Sequence, residues 1–558
     1  MRFYYIIFTL FLEALFLITL PAYAVELSSD QKVLLQSQGA AGISSIIEES
    51  EISFTSTSDV EDFVSEVISA QLSESSSIDD IAQLTTQTMI VVFNANILEN
   101  IDSNLAFEAF TSGISRGIII AANDLNIDIA PAIEASSFSA IVAAVELITT
   151  DSSTETEISE AIEAASSGSA AGAIEASVDA SVNVAATAEA AAAGSAAGAI
   201  FASSSSVASA TLGEFMINPT KAVEAASSGS AEGAVEASVL ESINVADSVE
   251  AASSGSAAGA IEASMKIGID TADSVEAASS GSAQGVVESI SGNGANSRLV
   301  IVSTDVNVAE AVEASSAGSA QGAVEASVLA NLDSTGIDVA ETVKASSAGS
   351  AAGAIEASVD ASIDVVVSVE AASAGSTQGV VESIDGNGAN SRLVIVSTDV
   401  DVAEAIKAAS AGSAQGAVEA SVDASFDVAE AVEASSSGSA SGAVEASILG
   451  SIDVADSVEA ASAGSASGAI EASIDVGIDV AEAVEAASAG STAGSVDASI
   501  LIDIDTEEVA EEVEEEVEEE VAEEAVEEVA EEVVGDELPI IDTPYEDDST
   551  IRTASPTN

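Results

Sequence analysis

Between Val418 and Val432 the chain carries two hydrophobic patterns at once. Val418-Glu-Ala-Ser-Val422-Asp-Ala-Ser-Phe426-Asp-Val428 alternates apolar and polar residues, as a half-buried strand does. The same stretch sets Val418, Val422, Phe426, Ala429 and Val432 at helical spacing. Periodicity does not choose between them, but the flanking residues do. Asp427-Val-Ala-Glu430 reads as a capping box, in which the N-cap Asp oxygen takes the N3 amide and the Glu at N3 reaches back. The same box stands at Asp338–Glu341, Asp401–Glu404 and Asp479–Glu482, with an Asn variant at Asn307–Glu310. The intervening residues are rich in Ala, the best helix former. Helices are therefore expected.

These stretches belong to one repeat, Glu-Ala-Ala-Ser-x-Gly-Ser-Ala-x-Gly-Ala-Val/Ile-Glu-Ala-Ser. It opens at Glu163, Glu189, Glu224, Glu250, Glu276, Glu313, Lys344, Glu370, Lys407, Glu433, Glu459 and Glu485. The steps 189−163, 250−224, 459−433 and 485−459 all equal 26, and the longer steps carry inserts. The inserts SGNGANSRLVIVSTD and DGNGANSRLVIVSTD are near-identical, which points to a segmental duplication. The Ser-x-Gly-Ser step, as in Ser410-Ala-Gly412-Ser413, reads as a C-terminal glycine cap followed by a new N-cap serine. That predicts two helices of about ten residues per unit, too short to persist unless stacked on neighbours. The expected fold is all-α: a solenoid of short helical hairpins on a 26-residue Ala/Ser/Gly-rich repeat, with a disordered acidic C-terminal tail. A β-solenoid with one coil per repeat is the alternative.

The glycine pair, as in Gly318 and Gly322, suits close helix packing. If the first glycine is a cap, only the second lies in an interface. Degenerate copies begin at Glu108 and Glu134, with Phe110, Ile114, Ile118 and Phe138 where later copies hold smaller residues. These read as a bulkier terminal cap. Asp59–Ile68 and Ile78–Leu84 are helical by spacing. The expected organisation is 1–24 signal peptide, 25–100 N-terminal helical region or cap, 101–505 repeat solenoid, degenerate to about 160, 506–538 Glu/Val-rich segment, and 539–558 disordered tail.

The signal peptide rests on Arg2, the apolar run that follows, and Ala22-Tyr23-Ala24 as a small-x-small cleavage site. It implies a secreted, periplasmic or cell-surface protein, bacterial by the form of that site. No later stretch reads as long and apolar enough to span a bilayer, so no membrane span is expected after signal removal.

Charge narrows the partners. The 558 residues hold 95 Asp and Glu against 10 Lys and Arg, a net of −85. Such a field repels nucleic acid and anionic membranes and attracts cations and basic surfaces. The expected partner is an unidentified protein or surface, basic in character, together with cations. Cys and His are both absent. Disulfides, thiolate metal sites and Ser-His or Cys-His catalysis are thereby excluded, and no enzymatic activity or cofactor is expected.

Candidate chemistry is sparse. Glu507–Glu532 holds sixteen glutamates in 26 positions, with Val509, Val513, Val517 and Val521 four apart. Like charges at i, i+4 oppose a helix there. No specific metal site is expected; diffuse, low-affinity binding of Ca²⁺ or other divalent cations is assigned to Glu514, Glu515, Glu516, Glu518, Glu519 and Glu520. Asp385-Gly-Asn387-Gly-Ala389-Asn390 only partly matches a calcium loop. Arg298 and Arg392 hold equivalent places in the two inserts. The composition resembles silk-like structural proteins in its Ala, Gly and Ser content alone. The function expected is an extracytoplasmic structural or interaction protein, an acidic scaffold or spacer in an envelope, surface layer or matrix. The alternative is a cation- or mineral-binding polyanion with the Glu-rich tail as its active part.

Overall fold

The computed structural model describes residues 27–502 except 51–53, 55, 96–97, 99–100, 150–152, 205–216, 292–306, 333–336, 386–400, 451 and 479. The expected signal peptide at 1–24, the inserts apart from their first residues Ser291 and Asp385, the Glu/Val-rich segment and the expected C-terminal tail lie outside the described residues.

Every described element is a helix, so the β-solenoid alternative finds no strand among the described residues. The N-terminal part comprises α1 (Ser29–Gln38), α2 (Ala40–Ser50), α3 (Thr57–Gln71), α4 (Ile78–Asn94), α5 (Ser103–Leu125) and α6 (Ile129–Ile148). Then follow α7 (Glu155–Ala180), α8 (Val184–Ser204), α9 (Pro219–Glu241), α10 (Val245–Ile267), α11 (Thr271–Ser291) and α12 (Val308–Leu332). The series ends with α13 (Val339–Ala361), α14 (Val365–Asp385), α15 (Val402–Ala424), α16 (Val428–Gly450), α17 (Val454–Val476) and α18 (Val480–Ile502).

Each repeat signature lies inside one uninterrupted helix, not in a hairpin of two short ones. Gly412 sits near the middle of α15, buried, where a helix end was expected. The actual punctuation is the step after the signature. Ser425 closes α15 in the left-handed conformation at φ 57°. The Ser425 amide donates to the Val422 carbonyl, and the Phe426 amide donates to the Ser421 carbonyl. These bonds satisfy helix-terminal carbonyls. Ser181, Ser242 and Ser362 do the same, and Gly268 and Gly477 close α10 and α17 at φ 81° and 75°. One apolar residue later comes the N-cap. Asp427 accepts from the Ala429 amide at 3.1 Å and the Glu430 amide at 3.4 Å. Asp338, Asp401 and Asn307 likewise accept from the amide two residues on, but no return bond from the following Glu is formed among the described residues, so these are N-caps and not the expected boxes. Asp479 lies outside the described residues.

From α3 onward each helix packs chiefly on the helix two along and less on its sequence neighbour. Odd and even helices thus form two layers, an all-α helical repeat. From α7 onward the contact within a layer is backbone on backbone. A Cβ built on Gly349 of α13 would fall 2.1 Å from the Glu276 carbonyl oxygen of α11, and one on Gly353 would fall 2.3 Å from that of Ser280. The two glycines and the two carbonyls advance in the same direction, so helices in a layer run parallel. Every helix from α7 to α18 meets its predecessor in this way, a Cβ on its first glycine always falling 2.0–2.2 Å from a carbonyl oxygen. Both glycines therefore lie in the interface. A glycine inside a helix costs about 1 kcal/mol against alanine. The cost is offset because the approach it permits lets Ala and Ser fill the space between backbones, where they could not fill a wider gap.

Hydroxyls tie neighbouring helices together. The Ser358 hydroxyl donates to Ser368 at 2.8 Å and that of Ser447 to Ser457 at 2.7 Å, across α13/α14 and α16/α17. The N-terminal part is filled differently. Phe54, Phe63, Phe107, Phe110, Ile43, Ile46 and Ile68 are fully buried. Phe93 stacks on Phe107 with centroids 4.4 Å apart. This core runs without a break from Leu27 to Ala226.

Three described helices, α5, α6 and α8, are long and apolar enough to cross a membrane by length and composition, contrary to the expectation of none. Ala, Gly and Ser dilute their apolar runs, which hides them in the sequence. Of their apolar windows 83%, 56% and 72% are buried inside the fold.

Candidate functional site

The sequence repeat becomes a spatial rule once the helices are stacked. Number the signature from its opening residue as position 1. The glycines at positions 6 and 10 bring successive helices of a layer so close that a long side chain reaches past the next helix. Position 1 of one helix then faces position 13 of the helix four further along, with position 9 of the intervening helix between them. Glu163 of α7 thus senses Glu288 of α11, Glu276 of α11 senses Glu419 of α15, and Glu313 of α12 senses Glu445 of α16. The result is columns of side chains running across each layer.

Most column members are carboxylates. Burial, reinforced by Glu288 and Glu160, pushes the Glu163 carboxyl up to about 8, although a hydrogen bond with Ser228 opposes the shift. Burial also raises Glu276 to about 7, with Glu419 and Asp273 adding to it. Glu313 rises to about 7 through burial and the charges of Glu445, Glu310 and Glu382. Glu224, Glu288 and Glu356 are raised for the same first reason. The physical cause is general: a carboxylate removed from water beside others is disfavoured, so the proton is retained.

The densest point is α9, where position 9 is Glu232 instead of Ala, Ser or Gln. Glu232 is 1% exposed, and neither carboxyl oxygen has a hydrogen-bond partner. Burial holds it well above the usual carboxylate range, with Glu163, Glu236, Glu108 and Glu288 adding to the effect. In four other helices position 9 is a glutamine. Gln284, Gln321, Gln378 and Gln415 each donate to the position-13 Glu one turn on, at 2.8, 3.2, 2.7 and 2.9 Å.

Two columns open with a cation. Lys344 of α13 pairs with Glu471 of α17 at 2.5 Å, 127 residues away in sequence. Lys407 holds the equivalent place in α15. Near the N-terminus Arg116 of α5 reaches Glu61 and Asp62 of α3 at 3.6 and 3.7 Å and Asp179 of α7 at 3.9 Å. The substitution of Lys for Glu at the first position of the signature was visible in the sequence. Its role was not, because the partner lies two layer steps away.

A groove of about 580 Å³ opens between α6, α8 and α10. Phe138 and Phe201, 5.4 Å apart, wall it, while Ala197 and Ala258 at position 9 leave its floor low. Lys266 at its rim pairs with Glu262 at 3.3 Å.

Among the described residues no group of three or more acidic side chains is arranged to hold a metal ion. Glu514, Glu515, Glu516, Glu518, Glu519 and Glu520 lie outside the described residues, as do Arg298 and Arg392. Of the partial calcium loop only Asp385 is described, as the last residue of α14. Comparison with protein families gives no matching family model, and comparison with curated proteins gives no significant match.

Proposed function

We propose that the protein is an exported, acidic scaffold or spacer, working in an envelope, surface layer or matrix through its stacked helices and not through catalysis. In this reading one 26-residue unit is one helix plus its turn, and the array grows by adding such units to alternate layers. The observation that carries it is the unbroken glycine contact from α7 to α18. Every helix rests on its predecessor through its backbone, so length is added without a new core. Such an architecture extends by nearest-neighbour stacking. The acidic columns and the absence of His and Cys favour this role over a catalytic one.

Small-angle scattering of the full chain tests the spacer role, with an elongated particle expected and a compact, isotropic one ruling it out. Cell fractionation tests export, which requires the chain in periplasm, on the surface or in the medium.

A further inference from the structure

The internal faces of the even layer are all covered in the same way, and the last one is not. In α12 the face that receives the glycines of α14 comprises Val312, Ser316, Ala317, Ala320, Gln321 and Val324, all buried. The corresponding residues of α18 are Val484, Ser488, Ala489, Thr492, Ala493 and Val496. Ala489 and Ala493 are exposed and the other four are half-buried. What belongs on such a face is shown by the seven preceding contacts, from α4/α6 to α16/α18. In all but the first, a Gly-x-x-x-Gly helix lies parallel on it, its glycines over the carbonyls of positions 1 and 5.

The sequence that follows α18 holds no glycine pair of this spacing. After Gly494 its only glycine is Gly535, and one 26-residue step beyond Gly490 and Gly494 stand Glu516 and Glu520. A second copy offers no free pair either, because the pairs of α5 and of α7 through α18 are already seated on their own predecessors. We infer that the exposed face of α18 docks a helix of another polypeptide that carries Gly-x-x-x-Gly with a lysine or arginine three residues after the second glycine. The column rule gives the position, and charge complementarity gives the basic residue. On a helix seated next in the even layer, position 13 meets position 1 of α16, which is Glu433, exposed at this end. Lys344 and Glu471 form this pair internally with the charges exchanged. The inference rests on the stacking rule and not on the spacer role, so its failure leaves the scattering outcome untouched.

The probe is a fluorescent peptide with the sequence of α16, Val428–Gly450, carrying Glu445→Lys. Anisotropy titration with the full chain is expected to saturate. Adding Gly438→Ala and Gly442→Ala to the peptide is expected to weaken binding at least about tenfold, since each methyl would meet a carbonyl. Restoring Glu445 weakens it severalfold, and more at low salt than at high. The Ala489→Phe chain, altered only at an exposed position, melts as the parent does and binds at least about tenfold more weakly. Absence of saturable binding overturns the inference, as does equal affinity of the glycine and alanine peptides. A dimer of the parent chain that Ala489→Phe dissociates would also overturn it, by assigning the face to a second copy.

Discussion

Helices α3–α6 and α7–α18 share one topology but are held together by different chemistry. In the first group large side chains fill most of the space between helices, although Gly113 and Gly117 already bring α5 onto the Glu61 and Ser65 carbonyls of α3. Phe63, Phe107 and Phe110 are buried, and α6 carries Ser139 and Ala143 where later helices have their glycine pair. In the second group backbones touch and the side chains are mostly Ala, Ser and Val. The comparison teaches that a stacked-helix array can be sustained either by volume or by closeness. Closeness has a consequence that volume lacks: it carries side chains of helices four apart into one column, and so gathers carboxylates.

The largest effect should come from removing closeness. Gly349→Val together with Gly353→Val places a branched side chain where even a Cβ has no room. A loss above about 4 kcal/mol is expected, the range in which a stack comes apart. Hydrogen exchange should show α11 and α13 losing protection while α3–α5 keep theirs; retained protection at α13 would mean the contact does not hold the layer. Alanine at the same two sites gives a graded version. Helix propensity favours it by about 1 kcal/mol per site. Overpacking opposes it by about 1–3 kcal/mol per site, so the net effect is destabilising.

Removing volume should act at the other end. Phe110→Ala is expected to cost about 3–5 kcal/mol by leaving a cavity between α3, α4 and α5. Exchange should quicken in α3–α6 and not in α13–α18.

The acidic columns predict a pH dependence that arises chiefly in the second group, where the largest upward shifts lie. Glu163, Glu276 and Glu313 are raised in the folded state to about 8, 7 and 7. The folded chain therefore binds more protons than the unfolded chain between the ordinary carboxylate range and these values. Their contribution is complete below about pH 4.5 and is lost as pH rises through about 7 to 8. Each carboxyl contributes a slope of at most roughly 1.4 kcal/mol per pH unit within its window. Thermal melts should fall in midpoint from pH 5 to pH 8.5. Glu163→Gln should flatten that fall, and an unchanged slope would show that the column carries no linked proton.

The smallest effect is at a helix end. Ser425 adopts φ 57°, where a side chain is strained and glycine is not. Ser425→Gly should stabilise by about 0.5–1 kcal/mol, read as a higher melting midpoint.

Several features were legible without a structure. Asp338, Asp401 and Asp427 announce helix starts, because an N-cap acts within three residues of itself. The spacing in Asp59–Ile68 and Ile78–Leu84 marks α3 and α4. Absent His and Cys exclude whole classes of chemistry wherever the chain folds. The role of the glycines was not legible. A glycine that ends a helix and one that lets two helices touch look alike in sequence, and only the carbonyl on the facing helix separates them. Ser425 shows the converse, since a left-handed cap was hidden in a residue with no special preference for it. The columns were furthest from view. Lys344 and Glu471, or Glu163 and Glu288, are more than a hundred residues apart in sequence, and they meet only because each intervening helix is pressed against its predecessor. Local chemistry thus determined where helices begin. Tertiary packing decided where helices end, what the glycines do and which carboxyls keep their protons, because each depends on the distance between backbones that are remote along the chain.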